Sequence, residues 1–417
     1  MSSGSLRLAA VLVWLSVAWA ALAQSAGSPA TGGATYVGSA SCQGCHKQAY
    51  DGWKQTRMAN VVVDPKAHPE AVLGDFKTPS PLVNFKLQDV ALVYGSRWKQ
   101  RYFLRRGDSY YVAPAQWDVE KKRWLPYHAE AGTDWWVPFY GASNQERPTK
   151  ALCDGCHSVG LSPVTGHVTE WNVGCEACHG PGSEHVRHPL KSNIVNPERL
   201  DYVRGNDTCI QCHSQGRPLE GQGFNDAGGQ HFDWPVGYRP GTRLVDYWRL
   251  EELKPGVTNF FQYADLTAHK NRMQGNDFIQ SNMYHRQLRC FDCHEVHSNQ
   301  IESNLMAKGN ELCLNCHDAA SSNPSGLKGT VSEHTHHAEG SAGSQCLACH
   351  MPRIEQTIKD GYVGAHTFRF ITPAMTEQSG IPNPCTSCHK DKSTTWATQQ
   401  LLQWGSVSPW RMTQGAY

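Results

Sequence analysis

Residues 172–188 read N-V-G-C-E-A-C-H-G-P-G-S-E-H-V-R-H, and the rest of the chain is organised around the pattern inside this stretch. Cys175 and Cys178 are separated by two residues, and His179 follows directly. C-x-x-C-H is the attachment signature of a c-type haem. Two thiols about one helical turn apart can each form a thioether to the same porphyrin, while the adjoining imidazole reaches its iron. His185 and His188 follow without cysteines beside them, as ligands for the open face of a neighbouring haem would.

The same five-residue pattern occurs eight times and accounts for all 16 cysteines. The cysteine pairs are Cys42/Cys45, Cys153/Cys156, Cys175/Cys178, Cys209/Cys212, Cys290/Cys293, Cys313/Cys316, Cys346/Cys349 and Cys385/Cys388. The histidines that follow them are His46, His157, His179, His213, His294, His317, His350 and His389. A disulfide framework or a set of zinc sites would not be expected to place histidine after every second cysteine. The sequence therefore predicts eight covalently attached haem c groups, with these histidines as proximal iron ligands.

Composition supports this interpretation. The 417-residue chain has a formal net charge of +1, which gives no indication of a nucleic-acid or other polyanionic partner. Its 39% hydrophobic content is lean for a chain of this length, and haems would fill the interior instead. The predicted fold is mainly α and irregular, wrapped around a covalent haem array, with a small β-rich insertion near residues 80–140.

The N-terminus predicts export. Arg7 precedes an apolar run over residues 8–23 that ends in A-L-A, as in a secretory signal peptide. The alternative, an uncleaved membrane anchor, is disfavoured because the run is shorter than the ~20 residues that a span needs. No later segment reads as a membrane span. We expect a periplasmic or extracellular protein with a signal peptide over 1–23 and a flexible lead over 24–35. The first haem and the β-rich subdomain would occupy 36–150, haems 2–4 with a haem-poor segment 151–289, and haems 5–8 residues 290–417.

Local patterns predict a few elements between the motifs. Alternation over residues 98–105, a turn at 106–109 and a resumed strand from Tyr110 favour a β-hairpin, to which 116–119 and 123–126 would add. This subdomain is expected to pack over the first haem, with a docking or substrate surface as the alternative. A helix is expected from residue 47 to 58 and another around 248–253. Short helices and loops should connect the last four motifs.

The second iron ligand decides what each haem can do. A haem held by two histidines passes electrons, whereas one with an open position can bind a substrate. Thirteen histidines lie outside the motifs. The candidates for distal ligands, chosen by position along the chain, are His128, His185, His269, His297, His334, His337 and His366. One of the cluster of His334, His336 and His337 is expected to ligate, with the others as packing or surface residues. For the first haem only Met58 and His68 lie near in sequence, so its ligand is Met58, His68 or none.

Several stretches carry a resemblance to a known family. N-V-G-C-E-A-C-H-G-P-G-S-E-H, T-C-I-Q-C-H-S-Q-G-R-P, the H-T-H-H before Q-C-L-A-C-H-M-P, and P-C-T-S-C-H-K-D-K resemble the bacterial multihaem cytochromes related to the tetrahaem electron acceptor of hydroxylamine oxidoreductase. The resemblance implies mostly bis-histidine haems in closely stacked pairs. It also implies distal ligation by His185, by His334 or His337, and by His366. No motif ends in lysine, unlike the active-site haem of many multihaem nitrite reductases.

The leading hypothesis is an exported octahaem cytochrome that transfers electrons through mostly bis-histidine haems between redox protein partners. No acid, base or nucleophile stands out, so no catalytic residue is nominated. One alternative is a multihaem oxidoreductase acting on a small nitrogen or sulfur compound at one five-coordinate haem. A second is a subunit of an oligomer or an extracellular cytochrome filament.

Overall fold

The computed structural model describes residues 33–128, 142–221, 224–323 and 326–404. The predicted signal peptide and most of the flexible lead lie outside these residues. Helices in the described chain are short, and most coincide with or flank a haem motif. Their bounds are Lys47–Lys54, Thr149–Leu152, Asp154–His157, Glu176–His179, Ser183–Arg187, Tyr202–Ile210, Gln274–Phe278, Asn282–His285, Glu311–His317, Val331–Thr335, Cys346–His350, Pro373–Ser379, Pro384–Cys388 and Thr394–Leu402.

The strands form antiparallel sheets. The largest is a five-stranded meander of Val62–Val63, Val90–Tyr94, Lys99–Arg106, Ser109–Asp118 and Arg123–Pro126. Three two-stranded sheets pair Ser158–Val159 with Glu170–Trp171, Gly216–Pro218 with Trp248–Leu250, and Arg353–Ile358 with Gly361–Gly364. The molecule is thus a mixture of short helices and small antiparallel sheets. The expectation of a mainly α and irregular chain with one β insertion understated its β content.

The predicted hairpin is confirmed. Lys99–Arg106 pairs with Ser109–Asp118 across the turn at Gly107, and the end of the second strand pairs with Arg123–Pro126. The alternating sequence pattern matches the fold because successive side chains point to opposite faces of the meander. One face buries Val90, Tyr102 and Trp117, and the other buries Leu92, Phe103 and Val112. Burial on both faces holds the sheet as a compact unit.

The sheet packs against the second haem motif. Cys153 and Trp171 pack on its second face, beside Tyr94 and Phe103. The Tyr94 hydroxyl donates to Asp154 Oδ1 at 2.7 Å, inside the second motif. The expected packing over the first haem stays a prediction.

Two local expectations were wrong. Residues 248–250 form a strand, not a helix, because their backbone pairs with Gly216–Pro218 and Trp248 is buried with Ile210, Tyr238 and Leu244. Between the last two motifs the chain forms the Arg353–Ile358 and Gly361–Gly364 hairpin instead of only helices and loops. The helix after the first motif ends at Lys54, and a separate 3-10 turn covers Met58–Asn60.

No helix within the described ranges is long and apolar enough to cross a membrane.

Candidate haem-binding sites

Each motif forms one turn of helix that brings its two thiols and its histidine to one side. The backbone N–H of the motif histidine donates to the carbonyl of the first cysteine, for example at 2.9 Å from His46 to Cys42 and at 3.0 Å from His179 to Cys175. All 16 cysteines are free thiols, without disulfides. Across the described residues there is also no cluster of three or more His, Cys, Asp or Glu side chains suited to a bare metal ion. Thioether attachment of haem fits this arrangement.

Cys45, the second thiol predicted for the first haem, departs from the expectation that the attachment cysteines lie in a shared haem core. It is exposed, as are Cys316 and Cys388, whereas the other 13 cysteines are half-buried. Its backbone N–H still donates to the Cys42 carbonyl at 3.3 Å, so the turn of the motif is formed. Attachment of a haem through Cys45 therefore stays a prediction from the C-x-x-C-H spacing alone.

Four motif histidines face a second histidine ring. The ring centroids of His46 and His185 are 6.3 Å apart, with 22° between the ring planes. The other pairs are His179 with His297 at 6.2 Å, His334 with His350 at 6.3 Å, and His337 with His389 at 6.1 Å, with interplanar angles between 17° and 32°.

This separation is too long for stacking contact and matches the space for one iron. A metal–imidazole bond is about 2.0 Å and the ring centre lies ~1.1 Å behind the nitrogen, so two imidazoles on opposite sides of one iron have centroids about 6.2 Å apart. The four pairs therefore fit bis-histidine ligation of a haem carried by the same motif.

The first motif has a partner that sequence proximity did not indicate. Its histidine faces His185, which follows the third motif, 139 residues away in sequence. His68, by contrast, is 61% exposed and its Nδ1 lies 3.1 Å from Glu70. The choice among Met58, His68 or no ligand thus gives way to His185 as the candidate. His334 and His337 both face motif histidines, so the cluster supplies two candidates rather than one.

The imidazole orientation of several candidates suits iron binding. Nδ1 lies within hydrogen-bond distance of a backbone carbonyl in His185 (Leu190, 3.0 Å), His269 (Asn259, 2.9 Å), His337 (Thr335, 2.6 Å) and His366 (Gly364, 3.0 Å). A carbonyl only accepts, so Nδ1 carries the proton and Nε2 is left for a metal. Such a second contact is the usual support of a metal-bound histidine.

The remaining candidates are less closely placed. His366 lies near enough to His294 and His213 for their charges to lower its pKa, after burial, which is the main cause and brings it to about 4. His269 packs on Tyr263, with ring centroids 4.2 Å apart. His128 lies at the edge of the described residues, after the last strand of the five-stranded sheet. None of the three stacks on a motif histidine among the described ring pairs. His336 stacks on Trp404 instead, and His167, His188, His231 and His285 are exposed.

Thiol contacts connect the motifs to one another. A thiol of another motif lies close enough to shift the pKa of Cys42 (from Cys175), of Cys156 (from Cys212), of Cys209 (from Cys290) and of Cys313 (from Cys346). Electrostatic contacts join Cys178 with Cys209, Cys293 with Cys316, and Cys349 with Cys385 and Cys388. The order of neighbours along this line is motifs 1, 3, 4, 5, 6, 7 and 8, with motif 2 as a side branch from motif 4.

Three of these pairs share one hydrogen-bonding device, which we call the motif clasp. A polar side chain three residues before the first cysteine of one motif accepts from the backbone N–H of the first cysteine of its partner. Ser39 Oγ accepts from Cys175 at 2.9 Å, Asn206 Oδ1 from Cys290 at 2.9 Å, and Asn310 Oδ1 from Cys346 at 2.8 Å. The clasp therefore joins motifs 1 and 3, 4 and 5, and 6 and 7.

Buried Glu176 adds a second set of hydrogen bonds between motifs 1 and 3. Its carboxylate accepts from the backbone N–H groups of Val37, Gly38 and Gly182, at 2.7–3.1 Å. Only 2% of Glu176 is exposed. A buried carboxylate is tolerated where several donors satisfy it. Sequence reasoning missed Glu176 and the clasp residues, although the polar residue three positions before a motif was visible in the sequence.

The second motif lies in a different environment. Tyr94 packs on His157, with ring centroids 5.3 Å apart, and Asp154 accepts from both Tyr94 and Thr149. A side chain at Gly155 would collide with the Trp234 indole, 1.9 Å from the position of its Cβ, so the motif requires glycine there. Nδ1 of His157 is buried without a hydrogen-bond partner in the described part of the chain.

Lys99, Arg101 and Arg272 lie close enough to this motif for their charges to act on it, and Lys270 lies beside Arg272. Burial, together with the charges of Arg272 and Arg101, lowers the pKa of His157 to about 4. Burial also lowers the pKa of Lys99 well below its usual value and that of Lys270 to about 7, with the nearby guanidinium charges acting in the same direction. Sequence reasoning did not identify these four residues.

Comparison with known proteins agrees with the haem motifs. The family described as "Doubled CXXCH motif" matches residues 285–322. No curated protein matches the chain. The solved structure of the outer cell wall cytochrome OcwA is similar at 22% identity, over 88% of this chain and 86% of that one, with a TM-score of 0.69. This chain has the fold of a multihaem c-type cytochrome.

Two other solved structures are similar over less of their length. An undecahaem cytochrome from the S-layer of Carboxydothermus ferrireducens shares 18% identity over 88% of this chain and 60% of that one, with a TM-score of 0.48. The Wolinella succinogenes octahaem sulfite reductase MccA shares 17% identity over 80% and 58%, with a TM-score of 0.40. The finer placement beside the electron acceptor of hydroxylamine oxidoreductase stays a prediction.

Proposed function

We propose that the chain is an exported octahaem cytochrome c that transfers electrons between redox protein partners. The observation that carries the proposal is the set of four histidine pairs at 6.1–6.3 Å, each containing one motif histidine. A haem held between two imidazoles has no open position, and its chemistry is to accept and release one electron. The protein supplies the two ligands and the orientation of each ring.

The contacts between motifs support a path for electrons through the molecule. Thiol contacts make a continuous series from the first motif to the eighth, by way of motifs 3 to 7. His185 and His297 each follow one motif and face the histidine of another, so a single segment would hold two haems. Adjacent haems held this way would have their positions fixed relative to each other.

Export is part of the proposal and rests on the N-terminal pattern and on the need to attach haem outside the cytoplasm. OcwA is an outer cell wall cytochrome, and the undecahaem cytochrome comes from an S-layer. An extracellular or periplasmic site for this chain fits the same setting. Assembly into an oligomer or filament stays open as an alternative.

The test is mass spectrometry followed by electron paramagnetic resonance on the oxidised holoprotein. We expect the mass of the chain plus eight haems and at least four low-spin bis-histidine signals. Replacing His337 by alanine should convert one low-spin haem to high spin, because its motif histidine faces no other imidazole among the described ring pairs. His336→Ala is the matched control, since that ring stacks on Trp404. A spectrum unchanged in His337→Ala, or one in which no low-spin haem is found, would contradict the proposal.

A further inference from the structure

Two segments that meet at the first motif leave aliphatic and basic side chains exposed there. One segment is residues 47–57, which directly follows His46, and the other is residues 183–191, which contains His185. The two histidine rings face each other with centroids 6.3 Å apart, so the segments are neighbours in space. We call the exposed side chains of these two segments the motif 1 surface.

Two aliphatic side chains form the apolar part of this surface. Val186 is 49% exposed and Leu190 is 59% exposed. The Leu190 carbonyl lies 3.0 Å from Nδ1 of His185, so the chain turns back onto the imidazole that is the candidate ligand of the first haem. Asn193 holds this turn, because its side-chain nitrogen donates to the His188 carbonyl at 2.7 Å. Both aliphatic side chains are therefore fixed close to the site of the first haem.

Basic side chains outnumber acidic ones in both segments. The five cations, all of them exposed, are Lys47, Lys54, Arg57, Arg187 and Lys191. The two carboxylates are Asp51 and Glu184, so the segments together carry a net charge of +3. The whole chain carries +1, which leaves the remainder of the sequence at −2. Positive charge is thus concentrated beside the first motif.

The two carboxylates do not remove these cations from use. Asp51 lies 2.5 Å from Lys47 Nζ, and Glu184 pairs with Arg187. Both ion pairs lie at the surface, where such a pair is worth at most about 1 kcal/mol. A lysine has three donors and an arginine has five, so each paired cation keeps donors for a carboxylate of another molecule.

The helix Lys47–Lys54 is fixed so that its charged side faces solvent. Lys47, Asp51 and Lys54 recur at spacings of four and three residues, which places them on one side of the helix. Trp53 lies on another side, where it is only 6% exposed and its indole N–H donates to the Val173 carbonyl at 2.9 Å. This contact sets the orientation of the helix on the protein.

Three occupants of such a surface differ in the chemistry they require. An apolar centre with a charged rim is typical of transient protein interfaces, and encounters between redox proteins bury less than about 1,200 Å². A membrane surface would require a long apolar face, whereas Val186 and Leu190 are the only exposed large hydrophobic residues in these two segments. A second copy of the chain in a two-fold contact would bring the same positive surface against itself. Charge complementarity therefore favours an acidic protein.

We propose that the motif 1 surface is the docking site of an acidic redox protein, which exchanges electrons with the chain through the first haem. The inference rests on the proposed electron-transfer function and adds to it the place where a partner binds and the charge that the partner carries. In the exchange the partner loses one electron and one ferric haem becomes ferrous, and no bond is made or broken. Motif 1 stands at one end of the series of motifs, so an electron that enters there has a path towards motif 8.

The test is stopped-flow reduction of the oxidised holoprotein by a reduced [2Fe–2S] ferredoxin of negative net charge. We expect a second-order rate constant that falls steeply as ionic strength rises. Lys47→Glu and Lys191→Glu should each lower the rate constant about fivefold at low salt, because they reverse a charge that steers the encounter. At high salt the variants should react at the rate of the wild type. Leu190→Ser should lower the rate constant at both salt concentrations, since it removes an apolar contact.

Lys390→Glu is the matched control. Lys390 is exposed and follows His389 of motif 8, as Lys47 follows His46 of motif 1. Its rate constant with the ferredoxin should equal that of the wild type. Low-spin haem signals and full reduction by dithionite report whether each variant is folded and carries its haems. An equal fall in Lys390→Glu, or an unchanged rate constant in both Lys47→Glu and Lys191→Glu, would overturn the docking site.

Two further measurements test the other occupants. The wild type should not sediment with vesicles of phosphatidylcholine and phosphatidylserine, and equilibrium sedimentation should find no dimer that depends on this surface. Vesicle binding or dimer formation that Lys191→Glu abolishes would overturn the acidic partner. These outcomes leave the electron-transfer proposal standing, because that proposal depends on the paired histidines. A holoprotein that dithionite does not reduce would instead overturn the proposed function itself.

Discussion

Motifs 1 and 2 are expected to carry the same cofactor in opposite settings. At motif 1 an imidazole from a distant segment faces the motif histidine at 6.3 Å, and hydrogen bonds that Ser39 accepts from Cys175 and Glu176 accepts from Gly38 join it to motif 3. At motif 2 a tyrosine ring packs on the histidine, and cationic side chains surround the motif. A second imidazole thus accompanies the motif histidine at motif 1, whereas a tyrosine ring and cationic side chains accompany it at motif 2. From the sequence alone the first haem was the uncertain one, with Met58, His68 or no ligand as the choices.

The largest expected effect removes the difference in ligation. His185→Ala should convert the first haem from low to high spin, because it deletes the imidazole that faces His46. Electron paramagnetic resonance on the oxidised holoprotein measures the change.

His188→Ala is the matched control, three residues further on and exposed. Its spectrum should equal that of the wild type. A spectrum of His185→Ala without a new high-spin component would show that His185 does not ligate the first haem.

A second comparison concerns the motif clasp, which joins motifs 4 and 5 but is not used by motif 2. Asn206→Ala removes the acceptor for the Cys290 N–H and the donor to the Leu288 carbonyl, at 2.9 and 3.0 Å. Because Asn206 is fully buried, we expect a loss of about 1–3 kcal/mol in the free energy of unfolding. Thermal unfolding at fixed heating rate provides the measurement.

Asn60→Ala provides a reference for the clasp, since Asn60 also donates to backbone carbonyls, those of Lys54 and Thr56 at 2.8 Å, but joins no two motifs. We expect altered magnetic coupling between haems only in Asn206→Ala. Equal magnetic coupling between haems in the two variants would show that the clasp acts as an ordinary buried hydrogen bond.

Sequence reasoning succeeded where interactions are local. The hairpin over residues 99–118 follows from alternation and a turn within twenty residues, and its two faces are buried as the pattern requires. Each motif is likewise a local signal. The strand Trp248–Leu250 was misread because its partner, Gly216–Pro218, lies some thirty residues earlier and the segment has no alternation of its own.

Predictions for the candidate site divide in the same way, into local features that the sequence shows and contacts that depend on the fold. The motif spacing assigns Cys45 to the first haem, but its exposure is not visible in the sequence. His185 was selected as a distal ligand for some neighbouring haem, but its partner His46 is determined by the fold that Glu176 and Ser39 hold together.

The cationic side chains near motif 2 could not be predicted, because Lys99 and Asn271 are about 170 residues apart in sequence and both hydrogen-bond to Thr357. Pairing across such distances depends on tertiary packing, which a pattern along the chain does not contain.

A smaller effect is expected from the hydroxyl that anchors the second motif to the sheet. Tyr94→Phe removes the 2.7 Å hydrogen bond to Asp154 while keeping the ring on His157. We expect a loss of about 1 kcal/mol in stability. Any shift in reduction potential should be confined to the haem of the second motif, which a spectroscopic redox titration resolves. Tyr110→Phe serves as the control on the same face of the sheet, and a shift at the other haems would contradict the assignment.

The smallest effect is a pH dependence of stability that arises at Asp207, near motif 4. Burial raises the pKa of Asp207 to about 6, partly offset by the backbone N–H of Leu244, which donates to Oδ2 at 2.9 Å. The folded state therefore holds this proton more tightly than the unfolded state, and the stability it contributes at low pH is lost as pH rises from about 4 to 6. Asp207→Asn keeps the acceptor without the charge, so its melting temperature should rise relative to the wild type between pH 4 and pH 7. Asp201→Asn should behave differently, because hydrogen bonds from Arg204 outweigh burial and lower the pKa of Asp201 below its usual value. Its melting temperature should lie below that of the wild type by a constant amount between pH 4 and pH 7, and the difference should shrink only as pH falls below about 4. Parallel pH profiles for the two variants would show that neither carboxylate controls stability near motif 4.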